Sequence, residues 1–154
     1  MQYLLPKSLH FKKGFTLIEL LVVIGILAVL LAIVLIAINP AKQFSQANNT
    51  ARSSDVNAIL NAIHQYAADN KGALPGGITT SSLEISDTGA NICSDLVTEY
   101  LAAMPTDPTL NTAPITTCSG TYATGYEVVR SASDNRITVS APDAELGVVI
   151  TVTR

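Results

Sequence analysis

The chain has 154 residues, 48% of them hydrophobic and only 14% charged, with a formal net charge of −3 at pH 7. Beyond residue 14 six basic side chains face twelve acidic ones, a net of −6, and Arg130, Arg136 and Arg154 are scattered among strand-like residues. That distribution excludes a general electrostatic footprint for nucleic acid.

In chain order, a short polar arm carrying Lys7, Lys12 and Lys13 comes first, and residues 14 to 38 follow as GFTLIELLVVIGILAVLLAIVLIAI. Leu20 to Ile38 holds 19 consecutive uncharged residues, which at about 1.5 Å each span roughly 28 Å, the thickness of a hydrocarbon core. A buried core helix seldom needs apolar residues on every face. The next basic residue after the run is Lys42, so the flanking charges put the N-terminus in the cytoplasm and the rest outside. A cleaved secretory signal has a shorter apolar region and a small-residue cleavage site; Leu35-Ile36-Ala37 matches that poorly, and the segment reads as retained. One carboxylate, Glu19, interrupts the run near its start. An acid inside a spanning helix is expensive, so it predicts a compensating partner.

These residues carry a resemblance. Lys12-Lys13-Gly14-Phe15-Thr16-Leu17-Ile18-Glu19 resembles the processing motif of type IV prepilins and type II secretion pseudopilins. The resemblance implies that a membrane-embedded prepilin peptidase cuts between Gly14 and Phe15 and methylates the new amine of Phe15. It also implies that Glu19 serves filament assembly. Electrostatics agrees: a terminal ammonium at Phe15 and the Glu19 carboxylate of another copy would convert two buried-charge penalties into one paired contact. Residues 1–14 then read as a cleaved leader, 15–38 as a transmembrane and filament-core helix, 39–72 as the second half of that helix, and 73–154 as a small exported head.

Asn39-Pro40 predicts a break, because proline lacks an amide donor and biases the preceding residue away from helix. Ala41 to Lys71 reads as helix in two parts. Asn48-Asn49-Thr50 and Ser53-Ser54 are weak formers. Val56, Ile59, Leu60, Ile63, Tyr66 and Ala67 then make one apolar face, with Asp55, Asn57, Asn61, His64, Gln65 and Asp69 on polar positions. Tyr66-Ala67-Ala68-Asp69-Asn70-Lys71-Gly72-Ala73-Leu74-Pro75 is similar to the helix exit common in pseudopilins and many bacterial pilins. Gly72 is expected to take the left-handed cap and Pro75 to stop the helix.

In the head, Ser94 to Ala103 suits a short helix ended by Met104-Pro105-Thr106-Asp107-Pro108, and Tyr100-Leu101 with Pro105, Asp107 and Pro108 resembles a loop seen in these families. Three strands follow at Gly125–Val129, Arg136–Val139 and Gly147–Val152, joined by turn residues as an antiparallel meander. A sheet this small needs a cover, and the apolar side of the second half-helix supplies it. The fold class is therefore α+β, a long N-terminal helix packed on a small antiparallel head.

Cys93 and Cys118 both fall in the exported part, where an oxidising exterior favours a disulfide. Many pilins carry a disulfide-bounded loop nearer the C-terminus than this one. No Gly-rich phosphate loop, activated nucleophile or metal-spaced histidine pair appears in the sequence, so no enzyme activity and no required cofactor is expected. Similarity to pseudopilins, whose major subunit holds calcium in a C-terminal loop, makes Asp134, Asp143 and Glu145 candidate oxygen ligands; solvated turns suit the same residues.

The expected function is a structural subunit of a type IV pilus-like filament, a homopolymer built through the N-terminal helix. The alternatives are a major pseudopilin of type II secretion and, further off, a membrane-anchored extracellular binding module. Partners implied by the resemblance are the prepilin peptidase, an assembly ATPase and an inner-membrane platform protein, with membrane lipid around the helix before assembly. The expected location is the inner membrane, single-pass, then a surface pilus or periplasmic pseudopilus.

Overall fold

The computed structural model describes residues 14–154. Of the expected leader, residues 1–13 with Lys7, His10, Lys12 and Lys13 lie outside the described residues. The chain divides into two compact units, one ending at Pro40 and the other running from Ala41 to Arg154, and each is described by itself.

The first unit contains helix α1, Leu17–Ile38, 22 residues with none buried. At 1.5 Å per residue it is about 33 Å long, enough to cross a bilayer core. It is the one helix among the described residues that is long and apolar enough to do so. Gly25 leaves open space where a side chain would sit. The expected break falls in place: Asn39 caps α1 in a left-handed conformation, φ 48°, ψ 81°.

The second unit begins in helix α2, Pro40–Asp69. Proline suits the first helical position because its missing N–H has no intrahelical partner there. The two-part helix expected from the Asn and Ser clusters is instead a single uninterrupted one. Packing overrides propensity, since Asn49 and Arg52 lie inside the molecule beside Val56, Ile59, Leu60 and Ile63. The hydroxyls of Thr50 and Ser53 also turn back onto the carbonyls of Gln46 and Asn49, at 2.9 Å each. The buried stripe therefore extends toward the N-terminal half of α2, while Tyr66 and Ala67 at the other end are half-buried. His64, expected on the polar side, is also half-buried. Lys71 (φ 58°) and Gly72 (φ 90°) share the left-handed exit, and the Gly72 amide donates to the Ala67 carbonyl at 2.7 Å.

Four strands form one antiparallel sheet in chain order: β1 Leu83–Ser86, β2 Ala123–Arg130, β3 Ile137–Ala141 and β4 Ile150–Thr153. The expected meander is present with one more strand than expected. In the last strand, Gly147 to Val149 stay outside the ladder because Leu146 and Gly147 turn the chain at φ 61° and 68°. The sheet's inner residues Ile85, Tyr126, Val128, Ile137 and Val139 share one core with Val56, Ile59, Leu60 and Ile63 of α2. The helix covers the sheet, as its apolar side predicted.

The helix expected over Ser94–Ala103 shrinks to α3, Cys93–Leu96. Val97 is already extended and Thr98 is left-handed at φ 77°. These consecutive β-branched residues are poor helix formers, and the turn places Leu96, Val97 and Met104 in the core. Cys93 and Cys118 form the expected disulfide across 25 residues, Cα–Cα 5.5 Å. Three strands follow this loop and one precedes it, so it lies ahead of the C-terminal position usual in pilins. Closing a loop of this length restrains the unfolded chain by about 3–4 kcal/mol. Replacing both cysteines with serine should lower the head's unfolding free energy by a similar amount in denaturant titrations of the full chain in detergent. A loss below about 1 kcal/mol would show that the loop is held by its packing alone.

Candidate functional site

Gly14, Phe15 and Thr16 precede α1 in non-helical conformation. Thr16 is the N-cap, and with Glu19 it completes a reciprocal capping box. The Thr16 amide and hydroxyl both donate to Glu19 Oε2, at 2.9 and 2.8 Å, and the Glu19 amide returns a bond to Thr16 Oγ1 at 3.3 Å. Two amides that a helix start leaves without intrahelical partners are thereby satisfied. Thr16-Leu17-Ile18-Glu19 is a Thr-x-x-Glu signature that the sequence reading passed over. Glu19 thus has a partner within its own chain, where only another molecule was expected. The engaged oxygen is Oε2; Oε1 accepts no hydrogen bond among the described residues. Phe15 is 85% exposed, so the Gly14–Phe15 bond lies open beside the cap.

A second constellation fixes α2 to the head, and sequence reasoning missed its centre. Arg52 is fully buried. Its Nε and Nη2 grip both oxygens of buried Asp107, at 2.6 and 2.9 Å. Its Nη1 donates to Glu145 Oε2 at 2.9 Å and to Asn49 Oδ1 at 3.0 Å. Glu145 also accepts from Asn48 and Ser45, each at 2.9 Å. Its backbone exchanges two bonds with the Asn49 side chain, at 2.8 and 3.0 Å. A planar guanidinium suits this bidentate grip, and further partners satisfy both carboxylates. Asp107 sits in the Pro-Thr-Asp-Pro loop, expected from the sequence as a helix stop and as a family-like loop but not as a partner of Arg52. It caps the 3₁₀ turn Pro108–Leu110 through the Thr109 amide. At the far end of α2, Tyr66 meets Tyr100 edge-on at 5.9 Å, and the Tyr100 hydroxyl donates to Asp69 at 3.1 Å.

Burial pushes the Asp107 carboxyl upward, but hydrogen bonds from Arg52 and Thr109 outweigh it and hold the group below its ordinary 3.8. Asn48, Ser45 and Arg52 likewise hold Glu145 below its ordinary 4.5. Both groups contribute stability that is complete above their unfolded values and lost as pH falls through their lowered folded ones. Asp55 works the other way: burial raises it against the hydrogen bond from Tyr126, which comes at 2.7 Å. Asp134 is also held below its ordinary 3.8, by Ser131 and the Arg136 amide, and three lowered carboxylates against one raised predict that the melting temperature of the head falls as pH drops from about 5 to 3. A melting temperature that holds or rises over that range would contradict this balance.

The acids suggested for calcium do not converge. Glu145 is committed to Arg52, Asn48 and Ser45, and Asp134 accepts from the Arg136 amide at 3.3 Å. Among the described residues no group of three His, Cys, Asp or Glu side chains could hold a metal ion.

Residues 9–35 match the family model for the prokaryotic N-terminal methylation motif, a span that includes Gly14, Phe15 and Glu19. Over 85 residues the chain is 34% identical to the type IV wide pilus major component PilA4 of Thermus thermophilus. The aligned part covers 55% of this chain and 63% of that protein, so the chain spans less than two thirds of the relative's length. No solved structure matches. The chain thus shares an N-terminal methylation motif with that family model and resembles a type IV pilus component over part of its length.

Proposed function

We propose that this chain is a member of the type IV pilin family and a structural subunit of a type IV pilus-like filament, cut between Gly14 and Phe15, methylated at Phe15 and polymerised through α1. The observation that carries the reading is α1 itself, apolar on every face with no residue buried in its own chain and headed by one carboxylate. Such a helix is at home in lipid or packed among identical helices. Before assembly it would sit in the inner membrane with the head outside.

Glu19 then has two duties on two oxygens. Oε2 holds the Thr16 cap and Oε1 receives the Phe15 ammonium of an adjoining copy. Each subunit offers one donor and one acceptor, and such head-to-tail pairing grows open filaments. The Arg52 clamp complements this arrangement by tying α2 to the head, so that load on the stem reaches the surface domain. Processing by a prepilin peptidase and extraction by an assembly ATPase with its platform protein belong to the same proposal. The relative's place in a wide pilus favours a surface pilus over a secretion pseudopilus.

Electron microscopy of surface filaments, with mass identification of their main component, tests the reading. Filaments composed of this chain are expected. Cells that make the processed chain yet carry it only as a membrane-bound monomer would contradict it.

A further inference from the structure

A cleft in the head has a chemistry that filament assembly does not use. It encloses about 640 Å³ between the C-terminal part of α2, the loop after it and the turn between β2 and β3. Small-molecule sites run to roughly 300–1,000 Å³. His64, Arg130, Asn135 and Ile137 line it, with Gly76 and Ile78 from the loop. No aspartate or glutamate lies among its lining residues, in a chain otherwise rich in acids.

Two nitrogens mark it out. His64 Nε2 and Arg130 Nε are buried with no hydrogen-bond partner, the two such side-chain atoms among the described residues. A buried donor left unpaired is costly, so native interiors rarely keep one without a use. The two side chains that carry them line one cleft. Among the described residues Arg130 makes no ion pair, in contrast to Arg52 with its two carboxylates. Both residues stand on fixed elements. His64 is on α2, and Arg130 ends β2, paired with Ile137 and with its amide donating to the Thr79 carbonyl at 2.8 Å. Rigid placement is what a binding site needs from its polar groups.

We propose that this cleft is an oxyanion site, taking the phosphate or carboxylate group of a small soluble ligand. Arg130 supplies the forked donor that fits either group in two-point fashion, and His64 supplies the second donor through Nε2. Ile78, Ile137 and the loop provide the apolar wall for the rest of the ligand. The site is distinct from the Gly14–Phe15 junction and the Arg52 clamp, and it stands or falls apart from filament assembly.

The test uses the full chain in detergent, titrated with sodium phosphate or sodium acetate at constant ionic strength. Thermal unfolding and the ¹⁵N signal of the His64 ring are the readouts. A ligand that binds only the folded state raises the melting temperature with the logarithm of its concentration above the dissociation constant, here by at least about 2 °C once that constant is reached. Phosphate also stabilises proteins by exclusion from their surface. Arg130→Met, which keeps the stem and removes the fork, isolates that general effect. In the expected result at least one anion shifts the His64 signal saturably, and the added stabilisation disappears in Arg130→Met and in His64→Phe. Response to phosphate alone or to acetate alone supports the site and names the group it prefers. Equal stabilisation of wild type and Arg130→Met overturns the proposal. Should either variant fail to fold, the wild-type His64 signal decides: no saturable change up to about 50 mM of either anion, a ceiling for very weak binding, also overturns it.

Discussion

Arg52→Met is expected to lower the unfolding free energy of the head by about 3–5 kcal/mol, the usual cost of removing one partner from a buried ion pair. The methionine would fill much of the arginine's volume, so the loss arises mainly from the stranded carboxylate. Asp107 is 1% exposed and would keep its Thr109 bonds, but not the paired grip on both oxygens. Glu145 is partly exposed and can turn to water. The double variant Arg52→Met with Asp107→Leu should therefore recover more than half of the loss, since apolar replacement of a buried pair is often neutral or stabilising. Urea titration of the full chain in detergent, followed by the near-ultraviolet tyrosine signal, measures both. A loss below about 1 kcal/mol for Arg52→Met would mean that the clamp contributes no more than a surface pair.

Glu19→Ala should insert into the membrane and be processed normally, yet lower filament yield by about tenfold or more, a loss that reflects an assembly contact rather than folding. Because Glu19 both caps α1 and carries the charge, two further variants separate the roles. Glu19→Gln keeps an acceptor suited to the capping box and removes the charge, so it should assemble as poorly as Glu19→Ala. Thr16→Val removes the hydroxyl from the cap and leaves the carboxylate, so it should retain most of its filaments. Sheared filaments quantified beside membrane-bound subunit provide the measurement. Wild-type yield from Glu19→Gln would reduce Glu19 to a helix cap.

Helix α1 and the break after it were legible in the sequence because their signals are local. The apolar run from Leu20 to Ile38 and the proline after it need no knowledge of the fold. The stripe Val56, Ile59, Leu60 and Ile63 was equally plain, since it follows from helical periodicity alone. Less visible was anything depending on distant partners. Arg52 lies among weak helix formers and looks like a surface cation until Asp107 and Glu145 close on it from positions 55 and 93 residues away. The strand β1 is four residues long with a bulge between Glu84 and Ser86, and its pattern is too short to separate from a loop. The expected helix after Cys93 was lost to the core's demand for Leu96, Val97 and Met104. At the junction the Thr16–Glu19 box is local and readable as Thr-x-x-Glu, unlike the contacts that depend on distant partners.

Filament assembly as proposed requires Phe15 to become a free terminus whose ammonium meets a neighbour's Glu19. Intact-mass and N-terminal fragment analysis of the chain, recovered from cells that possess a prepilin peptidase, tests this most directly. The predicted product begins at Phe15 and carries a methyl group on its amine. A chain that keeps Lys12, Lys13 and Gly14, or one cut beyond Ile38, would contradict it.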